Sequence, residues 1–339
     1  MREELITSGR MNHGIDPVLH IWHWPISLYL FVGGLAAGLL FFAALRVITG
    51  KDKEFSATVQ IGPIIALFAI VVGLMALVYD LHNPLYFWQL YTNFSIVSPM
   101  SWGAWTLMLI MPVAIVWIAT YLKDLFPKMN LTGFVKKIAG IFISFDETVD
   151  SNVNWDWKYS WLQDFEKFAI KNRKNMAWIL IILSTILGVY TGILLSAFNA
   201  RPLWNTSILG PLFLTSGLST GAALLMWISK THKEKLSYSK IDILLITIEL
   251  FFITHLFMGF LAGSEAKTEA AHLFLGGEFT ITFWINVLIL GLIFPLILEV
   301  LELLKVKIPI ALPAILILWG GLMFRFIMVE AGQITRFLY

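Results

Sequence analysis

Eight separate apolar stretches fill most of this 339-residue chain, and each is about long enough to cross a lipid bilayer as a helix. A spanning helix needs about 20 predominantly apolar residues. The bilayer core offers no water to backbone N–H and C=O groups, so such stretches fold as helices that satisfy these groups internally. The sequence therefore predicts an all-α integral membrane protein with spans near residues 24–45, 61–79, 102–122, 176–198, 206–228, 243–262, 281–298 and 308–329.

The composition indicates lipid as the main solvent. Hydrophobic residues make up 58% of the chain and charged residues 14%, which leaves too few polar side chains to cover a water-exposed surface. A formal net charge of +2 gives no reason to expect nucleic acid as a partner. Because cysteine is absent, the chain has no thiolates to hold an iron–sulfur cluster and no disulfide.

Lysine and arginine are distributed unevenly between the loops. The loops after the first, third, fifth and seventh spans contain eighteen of them, counting Arg46, whereas the termini and the other loops contain five. Cytoplasmic loops are enriched in these residues, so we expect both termini on the outer side of the membrane, outside the cytoplasm. The expected organisation is an outer segment 1–23, helices one to three within 24–122, a cytoplasmic amphipathic connection 123–175 and helices four to eight within 176–339.

Polar side chains gather towards the outer ends of the spans, and six of the seven histidines lie there. A b-type cytochrome that carries electrons across the membrane needs paired axial histidines near both faces, and the inner half has none to offer. A single outer haem held by His255 and another outer histidine stays open as an alternative. The outer group comprises His13, His20, His23, Asp80, His82, Tyr190, Arg201, His255, His272 and Arg325.

Two ionisable residues lie within predicted spans. Arg325 cannot lose its proton, so we expect it to face protein, water or a counter-ion, with Asp80 and Glu330 as candidates; the alternative is an arginine that snorkels into the headgroups. Glu249 lies nearer the bilayer centre, six residues before His255. We interpret this pair as a proton relay, and a protonated Glu249 hydrogen-bonded between helices is the alternative.

The first and fifth spans contain a similar small-residue pattern. Residues 33–38 read Gly-Gly-Leu-Ala-Ala-Gly and residues 216–221 read Ser-Gly-Leu-Ser-Thr-Gly. Both spans run inward from the predicted outer face, so a parallel duplication that yields two four-helix bundles fits the topology. Close helix packing through small residues explains each segment equally well.

Four motifs in chain order resemble one family. The chain resembles the NrfD family, the membrane subunits of polysulfide reductase and related respiratory complexes, and the resemblance covers nearly the whole sequence. The motifs are residues 20–25 (HIWHWP) with 29–38 (YLFVGGLAAG), residues 98–105 (SPMSWGAW), Tyr190 with residues 201–205 (RPLWN), and Arg325 with residues 331–333 (AGQ).

The resemblance implies a haem-free subunit that exchanges electrons between a membrane quinone, menaquinone or ubiquinone, and an iron–sulfur partner docked on the outer face. That partner is expected to be a ferredoxin-like protein with four clusters, connected to a molybdopterin catalytic subunit. The chain would then be the quinol/quinone oxidoreductase component of a polysulfide-reductase-like complex. The sequence leaves open the direction of electron flow and the terminal substrate.

The resemblance also implies a quinone pocket at the outer ends of the first and fourth spans. Tyr190 matches the family's quinone-site tyrosine, whereas Tyr29 stands where the polysulfide reductase subunit has a histidine, so His23 is expected to compensate. An imidazole beside a carboxylate suits proton exchange with a quinone. The expected pocket residues are Tyr29, His23, Asp80, His82, Tyr190 and Arg325, and the expected partner-interface residues are Trp22, Arg201 and Asn205.

Two other function classes stay in view. A secondary transporter typically has a substrate-binding cluster of polar groups near the centre of the bilayer, whereas the polar groups of this chain gather at one face. A proton-translocating module needs a continuous series of titratable groups through the inner half. Beyond Glu249, the sequence offers only hydroxyls in the spans, with Glu299 and Glu302 expected near the inner surface.

Overall fold

A computed structural model describes residues 22–128, 139–145 and 155–337. Within these ranges, eight helices are long and apolar enough to cross a membrane, which confirms the eight predicted spans. They are α1 (Trp24–Ile48), α2 (Ser56–Asp80), α3 (Pro99–Ala119), α4 (Arg173–Ser196), α5 (Leu209–Ile228), α6 (His232–Leu261), α7 (Thr280–Leu303) and α8 (Ala311–Ile334).

His13 and His20, two of the polar residues expected near the outer ends of the spans, lie outside the described residues. Helix α7 contains a π-helical stretch over Phe283–Ile293.

Shorter elements connect the long helices. The connecting elements are a 3-10 helix Pro84–Tyr86 and a helix Gln89–Thr92 between α2 and α3; a helix Leu122–Leu125, strands β1 (Ile143–Phe145) and β2 (Trp155–Trp157) and a helix Ser160–Lys171 between α3 and α4; and a helix Glu265–His272 between α6 and α7.

The connection between α3 and α4, expected to be amphipathic over 123–175, contains the amphipathic helix Ser160–Lys171 among its described residues. It also contains a short antiparallel pair, β1 with β2, which was not predicted. The indole of Trp155 is buried and donates to the Phe126 carbonyl. Lys123 lies between Asp156 and Glu166, with N···O distances of 2.9 and 2.6 Å. Partial burial alone would lower the pKa of Lys123, but these two hydrogen bonds outweigh it and the net shift is upward.

Contacts between loops define two ends of the helix array. At the first, named the pocket end, His23 contacts Asp80 and Trp22 contacts Gln333. At the second, named the basic end, Lys233 pairs with Glu54 at 2.9 Å, and Arg173 donates to the carbonyl of residue 120. The described parts of the loops with the predicted excess of Lys and Arg lie at the basic end. The prediction that these loops face the cytoplasm therefore applies to the whole basic end.

A buried polar cluster joins α1, α2 and α6 near the basic end. Glu234 is 1% exposed and accepts from the backbone N–H and the hydroxyl of Thr58. The Arg46 guanidinium donates to the hydroxyl of Tyr238 and lies 3.8 Å from the centre of the Phe55 ring. Each polar group therefore has a partner although the cluster is buried, as the low-dielectric interior demands.

Helices α1 and α5 cross at the centre of the molecule through the two small-residue segments. A Cβ atom added at Gly38 would lie 3.1 Å from the Gly221 Cα and 3.2 Å from the Gly217 carbonyl carbon. A Cβ at Gly217 would lie 2.8 Å from the Gly34 carbonyl oxygen. Glycine thus lets the two backbones approach directly, which is the packing role of small residues in membrane helices.

We expect Gly38→Val to destabilise the protein by about 1–3 kcal/mol, because the added side chain meets the backbone of α5 and neither helix can yield locally. The matched control is Gly259→Val, since nothing lies within 4 Å of a Cβ added at that position in α6. Thermal unfolding of the purified protein in detergent measures the difference. Equal melting temperatures for the two variants would contradict the close crossing.

Candidate functional site

A cavity at the pocket end lies between α1, α2, α3 and α4. Three phenols stand in its wall. The two most buried are Tyr29 from α1 and Tyr190 from α4, with exposed fractions of 3% and 7%. These two phenols are close enough to interact electrostatically. The cavity is lined by Trp22, Ile26, Tyr29, Leu74, Leu77, Val78, Leu81, Phe87, Leu90, Tyr91, Met100, Ala104, Leu107, Tyr190 and Leu194.

Gly103 of α3 creates the place that the Tyr190 ring occupies. A Cβ atom added at Gly103 would overlap the Cζ, hydroxyl and Cε1 atoms of that phenol. No rotation of an alanine methyl removes the overlap, because the Cβ position is fixed by the backbone. Gly103 therefore sets both the position of the Tyr190 hydroxyl and its distance from Tyr29.

The connection between α2 and α3 forms one wall of the cavity. Phe87, Leu90 and Tyr91 come from this segment, which contains the helix Gln89–Thr92. Burial raises the pKa of Tyr91 above its usual range, so this third phenol keeps its proton at neutral pH. Because Phe87 is 46% exposed, this wall is thin and faces the surroundings on its far side.

A second, larger depression shares Tyr190 with the first cavity. It lies between α3 and α4, has a volume of about 560 Å³ and opens on the outer surface of the helix array. Its wall is apolar apart from Tyr190, Trp102 and Thr185. This groove between α3 and α4 is lined by Ile96, Val97, Pro99, Trp102, Thr185, Ile186, Val189, Tyr190 and Ile193.

An imidazole–carboxylate pair stands beside the cavity. His23 Nδ1 lies 3.2 Å from Asp80 Oδ1, and the side chains are 66% and 9% exposed, respectively. Neither residue lines the cavity, but their chain neighbours Trp22 and Leu81 do. His82 is exposed. The structure thus brings His23 and Asp80 together at the rim, between the cavity and the surroundings.

Arg325 does not lie at this cavity. Its side chain is fully buried between α5 and α8, where Nη1 donates to the Ser216 hydroxyl and Nη2 donates to the carbonyl of Phe213 at 3.3 Å. The sequence interpretation expected Asp80 or Glu330 as its counter-ion. Glu330 is exposed, whereas the buried carboxyl near Arg325 is Glu249, which also contacts the Ser216 hydroxyl. Complete burial also means that Arg325 does not snorkel.

Glu249 and His255 lie on different faces of α6. Glu249 is 2% exposed and faces α5 and α8, whereas His255 is exposed, stacks on Phe251 and contacts its carbonyl. Six residues correspond to about 600° of helix, so the two side chains point in different directions. The structure does not bring these two residues together as the two ends of a proton relay.

The residues expected at the partner interface hold the pocket end together. Trp22 and Gln333 exchange two hydrogen bonds of 2.8 Å between the backbone of the first and the amide of the second. Arg201 donates to the carbonyls of Gln333 and Thr335, at the end of α8 where free carbonyls attract cations. Asn205 contacts the Asn199 carbonyl at 3.4 Å. Their role towards a partner stays a prediction.

Sequence reasoning missed three residues that the structure places at polar sites. Tyr91 carried no motif, and only its proximity to Tyr29 makes it a member of the pocket wall. Asp242 was placed outside the sixth span, predicted over 243–262, although α6 begins eleven residues earlier, at His232. The signal was present: Thr231 caps the helix by accepting from the N–H of Glu234, and a threonine followed three residues later by glutamate typically starts a helix. Gly103 was part of a motif but had no assigned role.

Comparison with known proteins identifies relatives over almost the whole chain. A family profile described as "Polysulphide reductase, NrfD" matches residues 12–337. The chain is 31% identical to "Protein NrfD" of Escherichia coli strain K12 over 326 residues, which cover 93% of this chain and 96% of the relative. It is also 31% identical to a chain of the polysulfide reductase of Wolinella succinogenes over 327 residues, 92% of this chain and 94% of the relative. A more distant relative is a subunit of the selenate reductase of Mesobacillus selenatarsenatis, 23% identical over 213 residues, 61% of this chain and 47% of the relative. The chain therefore belongs to the polysulphide reductase NrfD family of membrane proteins.

Proposed function

We propose that this protein is the membrane anchor and quinone-binding subunit of a respiratory oxidoreductase complex. It exchanges electrons between the quinone pool and an iron–sulfur subunit at the pocket end. The observation that carries the proposal is the pair of buried phenols, Tyr29 and Tyr190, in an apolar cavity at one end of the helix array. The relatives named for polysulfide and selenate reduction support a role in such a complex.

The side chains at the cavity fit a quinone head group. A flat ring needs apolar walls, and each carbonyl or hydroxyl needs a hydrogen-bonding partner. Tyr29 of α1, Tyr190 of α4 and Tyr91 of the connection between α2 and α3 line the cavity and carry hydroxyls for that role. The free space of about 60 Å³ is smaller than the cavity of about 150 Å³ that holds benzene in a protein core. Entry of a ring therefore requires the wall formed by Phe87 and Tyr91 to move outward. The groove between α3 and α4 adjoins Tyr190 and is suited to the isoprenoid tail.

Proton exchange is assigned to the groups around the cavity. A quinone supplies two-electron, two-proton chemistry, and each change of its oxygen atoms requires a proton donor or acceptor nearby. The phenols of Tyr29 and Tyr190 hold a ring oxygen by hydrogen bonds and keep water away from it. The exposed imidazole of His23, held by Asp80, exchanges protons with the surroundings at the rim.

The partners and the membrane side follow from the same proposal. The pocket end faces the periplasm, since the loops rich in Lys and Arg lie at the other end. The protein resides in the cytoplasmic membrane of a prokaryote, and α1–α4 and α5–α8 act as two bundles joined by the crossing of α1 and α5. An iron–sulfur subunit docks at the pocket end and passes electrons to or from a molybdopterin catalytic subunit.

The direct test is Tyr190→Phe in the complex purified with its natural partner subunits. We expect quinol-coupled turnover to fall on the order of 100-fold, because the substitution removes the hydroxyl that positions a ring oxygen and leaves the packing intact. Activity with an artificial donor that reduces the iron–sulfur subunit directly should persist. Tyr29→Phe should behave similarly.

Tyr79→Phe is the matched control, because this tyrosine is close to the same end of α2 but is 75% exposed. Its quinol-coupled turnover should equal that of the unmodified complex. If Tyr190→Phe, Tyr29→Phe and Tyr79→Phe all retain full turnover with quinol, the ring is not held by these phenols and the proposal is wrong.

A further inference from the structure

A second buried polar cluster lies between α5, α6 and α7, on the side of Glu249 that leads to the basic end. The Ser219 hydroxyl donates to Asp242 Oδ1 at 2.6 Å. Asp242 of α6 and Glu299 of α7 are both fully buried, and their carboxyl groups lie within hydrogen-bonding range of each other. Neither carboxyl is part of the cavity at the pocket end.

Three of the four oxygen atoms of these two carboxyl groups lack donors. Asp242 Oδ2 and both Glu299 carboxyl oxygens have no hydrogen-bond partner among the described side chains and backbone atoms. Ionised carboxylates can only accept hydrogen bonds. Two ionised carboxylates facing each other in a buried site would repel, and each would pay the full cost of lost hydration. A proton on one of them converts it into a donor, so the facing oxygens become a hydrogen-bonded pair.

We propose that Asp242 and Glu299 share one proton and form a proton-binding site in the half of the molecule nearer the basic end. The hydroxyl of Ser239 strengthens the assignment. It is fully buried, has no partner of its own among the described residues and lies one turn before Asp242 on the same face of α6. The site therefore has a free hydroxyl available to orient a proton or to pass it on.

Charged groups lie on both sides of this site. Towards the pocket end, Glu249 interacts with Asp242 along α6, and Arg325 of α8 contacts Glu249 through Ser216. Towards the basic end, Glu302 of α7 interacts with Glu299. Glu302 is partly exposed and lies near His232 and Lys235 of α6. The shared proton therefore occupies the position between a surface carboxyl at the basic end and the buried Glu249.

The site adds Asp242 to the titratable groups that the sequence indicated for the inner half, Glu299 and Glu302. The proposed proton site does not rest on quinone exchange at the pocket end. The same oxygen-rich set could otherwise hold a small monovalent cation such as Na⁺, and the experiment separates the two occupants.

The test uses the full chain purified in detergent and a hydrophobic carbodiimide, which reacts with protonated carboxyl groups in apolar surroundings. Peptide mapping by mass spectrometry should locate label on Asp242 or Glu299. The infrared spectrum should contain a protonated carboxyl band that shifts in D₂O. Both signals should be lost from this site in Glu299→Gln, whose amide still donates to Asp242, and in Asp242→Asn.

Glu330→Gln is the matched control, since it removes an exposed carboxyl of α8 that is no part of this site, and it should keep both signals. Label that is suppressed by Na⁺ but not by K⁺ would show a cation in place of the proton and would overturn the proposal. So would unlabelled Asp242 and Glu299 in the unmodified protein, a result that needs no variant to fold. Loss of quinol turnover in Tyr190→Phe with labelling unchanged would leave both proposals standing independently.

Discussion

Gly103→Ala should lower quinol-coupled turnover on the order of 100-fold, although it adds a single methyl group and removes no polar atom. The new Cβ would occupy the place of the Tyr190 phenol, so the ring must leave its position against α3 and its hydroxyl must move away from Tyr29. A misplacement of about 1 Å at a reacting group commonly costs two orders of magnitude in rate. The measurement is steady-state turnover of the purified complex with a water-soluble quinol.

Gly259→Ala is the control for this prediction, because it introduces the same methyl group into α6 at a position with nothing within 4 Å. Both variants should retain activity with the artificial donor, which shows that the complex is assembled. If Gly103→Ala and Gly259→Ala have the same quinol turnover, the position of Tyr190 does not limit the reaction. The prediction depends on the proposed function and fails with it.

The eight helices could be predicted from the sequence because hydrophobicity over about 20 residues is a local property. Their ends were less accurate where tertiary contacts or capping extend them. Helix α6 continues to His232 because Thr231 caps it and because Glu234 finds Thr58 as a buried partner. The strands β1 and β2 were missed, since a pair of three-residue strands has no periodicity long enough to read.

The pocket was predictable in part. The resemblance placed Tyr29 and Tyr190 at the same end, and in the structure both line one cavity. His23 and Asp80 were expected at the same end of the spans, and their side chains are in contact there. The depth of a residue in the membrane does not determine which face of the helix its side chain occupies, however. His255 and Glu249 share α6 but face different surroundings.

Arg325 shows most clearly why the depth of a residue in the membrane is insufficient to predict its partners. Its position near the end of the last span suggested a counter-ion in the outer loops, but its partners are set by the crossing of α1, α5 and α8. The glycines of that crossing leave space beside the guanidinium: a Cβ added at Gly34 would lie 3.5 Å from Arg325 Nη2. Ser216, from the small-residue segment of α5, accepts its hydrogen bond. The small-residue segments that pack α1 against α5 thus also accommodate the buried guanidinium of Arg325.

Arg325→Met should destabilise the protein by about 3–5 kcal/mol, because it removes the only charge of opposite sign that the described residues place beside buried Glu249. It also removes the hydrogen bonds from the guanidinium to Ser216 and to the Phe213 carbonyl. The loss should appear as a lower melting temperature and a smaller yield of monodisperse protein in detergent. Lys307→Met, which removes an exposed positive charge at the basic end, should change neither quantity.

A double variant separates charge from packing at this position. Arg325→Met combined with Glu249→Gln removes both charges, so most of the destabilisation should be recovered if the unpaired carboxylate causes it. Buried ion pairs replaced as a unit are often tolerated where the loss of one partner is not. A double variant that is as unstable as Arg325→Met alone would mean that the guanidinium acts through its hydrogen bonds to α5 and through its stacking on Phe213, 4.9 Å from the ring centre. In that case the helix crossing, rather than the charge of Glu249, is what fixes an arginine in the last span.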